Sequence, residues 1–159
     1  MKKSLLNLLL YSVIFLTIGC GFKAINKEQR GNFKIKEITS SGDQRINFKI
    51  KNDLNMFSNN NNENIIIIDL ETTKNKTIKD KNIRNEITKY QIRITAIINV
   101  RAIKNDNNFK IEITETGNYS VSRNNMIATV SNERKLSKKL AEEIAIGVVD
   151  KIDEKLNDN

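Results

Sequence analysis

Proton transfer, nucleophilic attack and metal binding each need particular side chains, and this chain is short of most of them. Its 159 residues hold no His and a single Cys, Cys20. Without imidazole it lacks the usual general base and the commonest metal ligand. One thiol can build neither an internal disulfide nor a Cys-based zinc site. Glu142 and Glu143 are neighbours on a helical stretch and so do not face each other, and Glu112 alternates with apolar residues on an exposed strand face. No nucleophile stands with a plausible base, so the chain reads as a non-enzymatic protein without metal or cofactor. What it has in excess is positive charge, +8 for the full chain. Between Lys74 and Lys110 ten cations, among them Arg84, Arg93 and Arg101, meet three anions, which leaves that window at +7. A focused basic surface attracts polyanions such as phosphorylated lipid head groups. No aromatic stacking ladder or binding motif accompanies the charge, which argues against nucleic acid as the partner. A solvated lysine-rich surface would account for the same count.

Cys20 has a different use. Residues 1–19 divide into a basic start (Lys2, Lys3), an apolar stretch from Leu5 to Ile18 and a small Gly19 directly before the Cys, the three regions of an export signal. As a helix the stretch would cover about 21 Å, short of the roughly 30 Å hydrocarbon core. The segment Leu16-Thr17-Ile18-Gly19-Cys20 resembles the lipobox of bacterial lipoproteins, with Thr17 where Leu is commonest. That resemblance implies that Cys20 becomes the acylated first residue of the mature chain. Several acyl chains at about 0.8 kcal/mol per buried CH2 would make the anchoring stable. By analogy with lipoprotein sorting, Gly21 in place of Asp implies transfer to the outer membrane. An unmodified thiol in a secretory leader or an uncleaved anchor is the alternative. The expected organisation is a leader over 1–19, a lipidated connector over 20–31 and one domain over 32–157.

That domain must be built from the periodicities of the remaining chain. Phe33 and Ile35 between Lys34 and Lys36 predict a strand over 32–38. Ser41-Gly42-Asp43-Gln44 reads as a capping box, with the Ser41 hydroxyl and Gln44 amide satisfying a helix start. Ile46, Ile50, Leu54 and Phe57 follow at helical spacing; Ile46, Phe48 and Ile50 alone would also permit a strand, and the cap with Leu54 and Phe57 selects the helix. Ile65 to Ile68, continuing to Thr72, predict a central strand covered on much of both faces. Tyr90, Ile92, Ile94, Ala96, Ile98 and Val100 share one parity, while Gln91, Arg93, Thr95, Asn99 and Arg101 share the other, giving a strand with a core face and a wet face. Asn105 to Asn108 supply a turn, and Phe109, Ile111 and Ile113 alternate in an antiparallel return strand. Leu136, Leu140, Ile144, Val148, Ile152 and Leu156 form the stripe of a long final helix, with Ala141 and Ala145 allowing close approach. The order β-α-β-β-β-α predicts an α+β fold, a two-layer sandwich with two helices on one face of a four-stranded, largely antiparallel sheet.

The order and spacing of several motifs resemble the LptE family, outer-membrane lipoproteins that plug the LptD β-barrel of the lipopolysaccharide translocon. They are Cys20-Gly21-Phe22, the first strand with its capped helix, Thr88-Lys89-Tyr90-Gln91, Asn118-Tyr119-Ser120, and Leu140-Ala141-Glu142-Glu143-Ile144. The resemblance implies an LptD-like barrel partner, help with barrel assembly and lipopolysaccharide as ligand, bound through basic residues. Ile83-Arg84 resembles the family's aromatic-basic pair near lipid A, with Ile in place of the aromatic; it points to Arg84, joined by Arg93 and Arg101 on charge. A plug needs a polar outer surface against a polar lumen, which Gln91, Thr95 and Asn99 could supply, although plain solvent exposure explains them as well. The competing function is a lipoprotein facing the periplasm that binds anionic lipid or cell-wall polymer with no barrel.

Overall fold

β-Branched runs and one 3.6-residue stripe settle the elements of the computed structural model, which describes residues 31–104 and 108–157. The leader, the connector through residue 30 with Cys20, and Asn105 to Asn107 of the expected turn lie outside the described residues. The elements are β1 (Lys34–Gly42), α1 (Gln44–Phe57), β2 (Ile65–Lys81), β3 (Ile87–Ala102), β4 (Asn108–Ser120) and α2 (Met126–Asn157). They form the expected α+β sandwich. The sheet order is β1-β2-β3-β4, with β1 parallel to β2 and the other pairs antiparallel. A parallel pair needs a crossover of a dozen residues or more, and α1 provides it. Both helices cover the same face, α1 beside β1 and β2 and α2 across β3 and β4.

β1 departs from simple alternation. A bulge between Ile35 and Glu37 shifts its parity, so Ile35 and Ile38 both pack against the core although an even number of steps does not separate them. The helix that follows is not started by Ser41, which stays in the strand. Asp43 is the cap: its Oδ1 accepts from the backbone N–H of Arg45 at 3.0 Å and of Ile46 at 3.1 Å. Gly42 takes a left-handed φ of 95° so that the chain can turn into this cap. Asp43→Ala is expected to lower stability by about 1 kcal/mol, read as a lower urea midpoint at unchanged slope.

A buried polar staple holds α1 in place. Asn47 donates to the Ser41 carbonyl at 2.8 Å and accepts from the Thr72 hydroxyl at 2.7 Å, tying the helix to β1 and β2 at once. Around it Phe33, Ile50, Leu54, Ile66, Ile68, Ile92, Ile94, Ile98, Ile144 and Ile152 are fully buried. Each such side chain stabilises by about 1.5–3 kcal/mol relative to exposure.

Two expectations change. β2 is not covered on both faces: Ile66, Ile68 and Leu70 are buried while Ile65, Ile67 and Asp69 are only half-buried, because both helices lie on one side. β2 also runs to Lys81, nine residues past the Thr72 where the hydrophobic pattern ends the expected strand. Thr, Asn and Lys carry little hydrophobic signal, yet Thr73 to Ile78 pair continuously with Tyr90 to Thr95. The strand persists because its partner supplies the backbone ladder.

Candidate functional site

The face of the sheet opposite the helices is bare among the described residues, and the residues singled out by parity stand on it. Gln91, Arg93, Thr95, Asn99 and Arg101 project from β3 to that side, exposed or half-buried. Neighbouring strands complete polar rows: Thr73, Thr95 and Thr114; Asn75, Arg93 and Thr116; Asp69, Asn99 and Lys110. Several are joined across strands. The Thr95 and Thr114 hydroxyls lie 2.9 Å apart, Gln91 Nε2 donates to Asn118 Oδ1 at 3.3 Å, and Arg101 approaches Asp69 at 3.5 Å. Thr39 donates to the same Asp69 carboxylate. These bonds order the side chains without burying them. At a rise of about 3.3 Å per residue the β3 face extends roughly 50 Å.

The three arginines do not form one site. Arg93 and Arg101 are about 26 Å apart along β3 at that rise, and Arg84 sits beyond the strand's other end, at the tip of the β2–β3 hairpin. The tip is rigidly held. Asn82 Oδ1 accepts from the N–H of Arg84 and of Glu86, both at 2.9 Å, while Asn82 Nδ2 donates to Glu86 Oε2 at 2.8 Å. Asn85 adopts φ 60°, and Lys81 donates to its side chain at 3.0 Å. Arg123 clamps the base through Glu86 at 3.0 Å. The result is that Ile83, fully solvent-exposed at 103%, and Arg84 are presented side by side.

Nor is the excess charge all free. Within the basic window Lys74, Lys76, Lys89, Arg101 and Lys104 are in ion pairs. The pairing holds the Glu63 carboxyl, hydrogen-bonded by Lys104, below its usual range. On the open face Asp69 and Glu71 line a shallow dent of about 250 Å³ near β1, so that face is mixed in sign. Lys79, Lys81, Arg84, Arg93 and Lys110 have no ion-pair partner among the described residues.

Sequence reasoning passed over a second cluster, on the helix side. Glu133 accepts from Lys74 Nζ at 2.8 Å, Lys76 Nζ at 2.7 Å and the Tyr119 hydroxyl at 2.8 Å. Lys76 also lies over the Tyr90 ring, 4.3 Å from its centroid. The two lysines, Lys74 first, hold the Glu133 carboxyl down at about 2 against the opposing effect of burial. Burial raises the Tyr119 phenol, with the Glu133 carboxylate adding to it. A signal was present: Lys74 and Lys76 continue the inward parity of Ile68 and Leu70, and Glu133 stands seven residues before Leu140 on the inward stripe of α2.

Three solved structures share this architecture. Rare lipoprotein B from Shewanella oneidensis matches at a TM-score of 0.58 and 13% identity over 79% of this chain and 97% of its own. A minor lipoprotein from Acinetobacter baumannii matches at 0.56 and 12%, over 77% and 91%. Lipoprotein B from Nitrosomonas europaea matches at 0.53 and 11%, over 80% and 89%. This chain has the fold of those lipoproteins. The likeness takes in 89% to 97% of each of these neighbours. No protein-family model and no curated protein sequence matches it. Among the described residues no helix is long and apolar enough to cross a membrane, and no three His, Cys, Asp or Glu residues are grouped to hold a metal.

Proposed function

We propose that this chain is an outer-membrane lipoprotein, anchored through Cys20, that plugs and helps assemble an LptD-like β-barrel and takes part in lipopolysaccharide transport and insertion at the cell surface. The observation that carries the reading is the one-sided sheet: a bare, ordered, polar face about 50 Å long on a fold shared with three lipoproteins. An antiparallel sheet can leave such a face to water, and a barrel lumen, itself polar, can meet it on equal terms. A two-layer domain is too wide for a small barrel whose own side chains fill it, and suits a lumen of twenty or more strands.

The polarity of the molecule fits the same reading. Gly31 donates to the Phe57 carbonyl at 2.8 Å and the Asn32 N–H donates to Asp153 at 2.8 Å, so the described chain begins at the C-terminal ends of both helices. A tether at Cys20 would hold this pole near the membrane. The hairpin tip with Ile83 and Arg84 is then the most distant point, reaching through the barrel toward lipid A. Arg84 is the contact we assign to the lipid phosphate, with Arg93 and Arg101 lining the lumen beside Gln91, Thr95 and Asn99.

The full chain purified from detergent-solubilised envelopes should carry a large β-barrel in equimolar amount. Thr95→Trp with Arg93→Trp on the bare face should reduce the captured barrel by about tenfold or more while the thermal midpoint changes little, since exposed substitutions are usually worth within about 0.5 kcal/mol. A chain that purifies as a monomer without any barrel would exclude the reading. The unpaired cations near the tip favour one alternative, a lipoprotein that binds anionic lipid or cell-wall polymer directly; salt-sensitive binding to anionic vesicles without a barrel would select it.

A further inference from the structure

On the covered side, α1 and the first half of α2 leave a groove between them of about 960 Å³, at the upper end of the range for specific binding sites. Its apolar walls are Ile46 and Phe48 of α1 and Val130 and Ala141 of α2. Phe48 is 69% exposed and Val130 41%, an unusual investment of apolar surface for a helix pair otherwise well packed. The stripe extends outward: Met126 and Ile127, one turn before Val130, are both about four-fifths exposed. One turn and two turns after Val130 come Arg134 and Lys138, and Arg45 stands across the groove on α1. Among the described residues none of these three cations has an ion-pair partner, whereas Lys49 and Lys74, also at the groove, are paired with Asp53 and Glu133.

We propose that this groove seats an acidic amphipathic helix of a partner protein, its apolar stripe against Phe48 and Val130 and its carboxylates toward Arg45, Arg134 and Lys138. The shape decides between occupants. A groove open along its length would leave one side of an acyl chain in water, while an amphipathic helix brings its own polar back. The wall from Val130 to Ala141 runs about 17 Å, roughly three helical turns, which matches anchors at i, i+4 and i+7. Charge selects acid over base: Arg45, Arg134 and Lys138 outnumber Asp43, the one lining carboxylate without an ion pair among the described residues, so the local field stays positive and like charges facing it would be repelled. The groove lies on the face away from the bare sheet, and its residues are ones that the proposed function does not use.

The test uses the full chain held in nanodiscs of zwitterionic lipid and a fluorescein-labelled peptide of about five helical turns, Leu on one stripe and Glu elsewhere. A twin with Lys for Glu is the charge control and dodecyl phosphate the lipid control. The acidic peptide should saturate, with the twin bound at least about tenfold more weakly and the gap narrowing in high salt. Arg134→Glu with Lys138→Glu should weaken the acidic peptide by about tenfold, and Val130→Asp, an exposed site that leaves the fold intact, should abolish binding. Equal binding of the two peptides, binding undiminished by Val130→Asp, or saturation by dodecyl phosphate with no peptide binding would each overturn the proposal.

Discussion

Gly42→Ala is expected to cost the chain a large share of its stability. A Cβ at residue 42 would lie 1.9 Å from the Thr72 carbonyl oxygen, far inside any contact, and the φ of 95° is one that side chains avoid. The obstacle is backbone, so it cannot swing aside. That carbonyl also accepts from the Asp43 N–H at 3.4 Å, so moving it pulls the cap off α1 and loosens β1 from β2 in the same step. A loss of more than about 4 kcal/mol is expected, against a total of roughly 5–15 for a domain of this size. The matched control is Gly147→Ala in α2, where the nearest atom is the flexible Cδ1 of Ile113 at 3.1 Å. There the better helix propensity should leave stability unchanged or raised by up to about 1 kcal/mol. Urea unfolding followed by circular dichroism separates the two; equal midpoints would refute the argument.

Glu133→Gln should be the second most damaging change, at about 1–2 kcal/mol near neutral pH. It removes the one carboxylate shared by Lys74, Lys76 and Tyr119, leaving two partly shielded ammonium groups without a counter-charge. The pH dependence carries the sign. In the folded chain this carboxyl titrates at about 2, lowered chiefly by Lys74 and Lys76, from an ordinary value of 4.5. A depressed carboxyl contributes stability that is complete above its unfolded value and is lost as pH falls toward the folded one. The native chain should therefore lead the variant fully above about pH 5, with the lead shrinking from there to about pH 2. Solvent reaches the cluster from the groove side, so screening holds the contribution to about 1–2 kcal/mol rather than the roughly 3 that the whole shift corresponds to. A lead that persisted undiminished at pH 2 would show that packing rather than charge sustains the cluster.

The α+β order was legible because the alternation around Ile92 to Val100 and the stripe from Leu136 to Leu156 are local periodicities that name their own element. Where the signal was weak the reading slipped. Thr73 to Lys81 looks like a linker, but it is a strand because β3 holds it by its backbone. Ser41 resembles a cap, yet Asp43 takes the role because Ser41 is still paired with Glu71 in the sheet and the left-handed Gly42 turns the chain into the helix only after it. The polar face of β3 was correctly assigned by parity, whereas Arg84, singled out only by the family resemblance, stands at the tip of a β2–β3 hairpin that was not expected. Its distance from Arg93 and Arg101 could not be read, since strand length fixes it and the strand was longer than it looked.

By itself the sequence determined the kinds of elements, their order, which side of β3 is wet and how few side chains here could do chemistry, because each of these depends on residues near one another along the chain. Only the tertiary structure decided that β2 runs on to Lys81, that half the basic window is neutralised, and that a cation-rimmed groove opens beside Val130. Those outcomes require Glu133 to meet Lys74 and Lys76 across separations of 59 and 57 residues, and α1 to come to rest against α2. Packing geometry sets such meetings, and no local pattern encodes them.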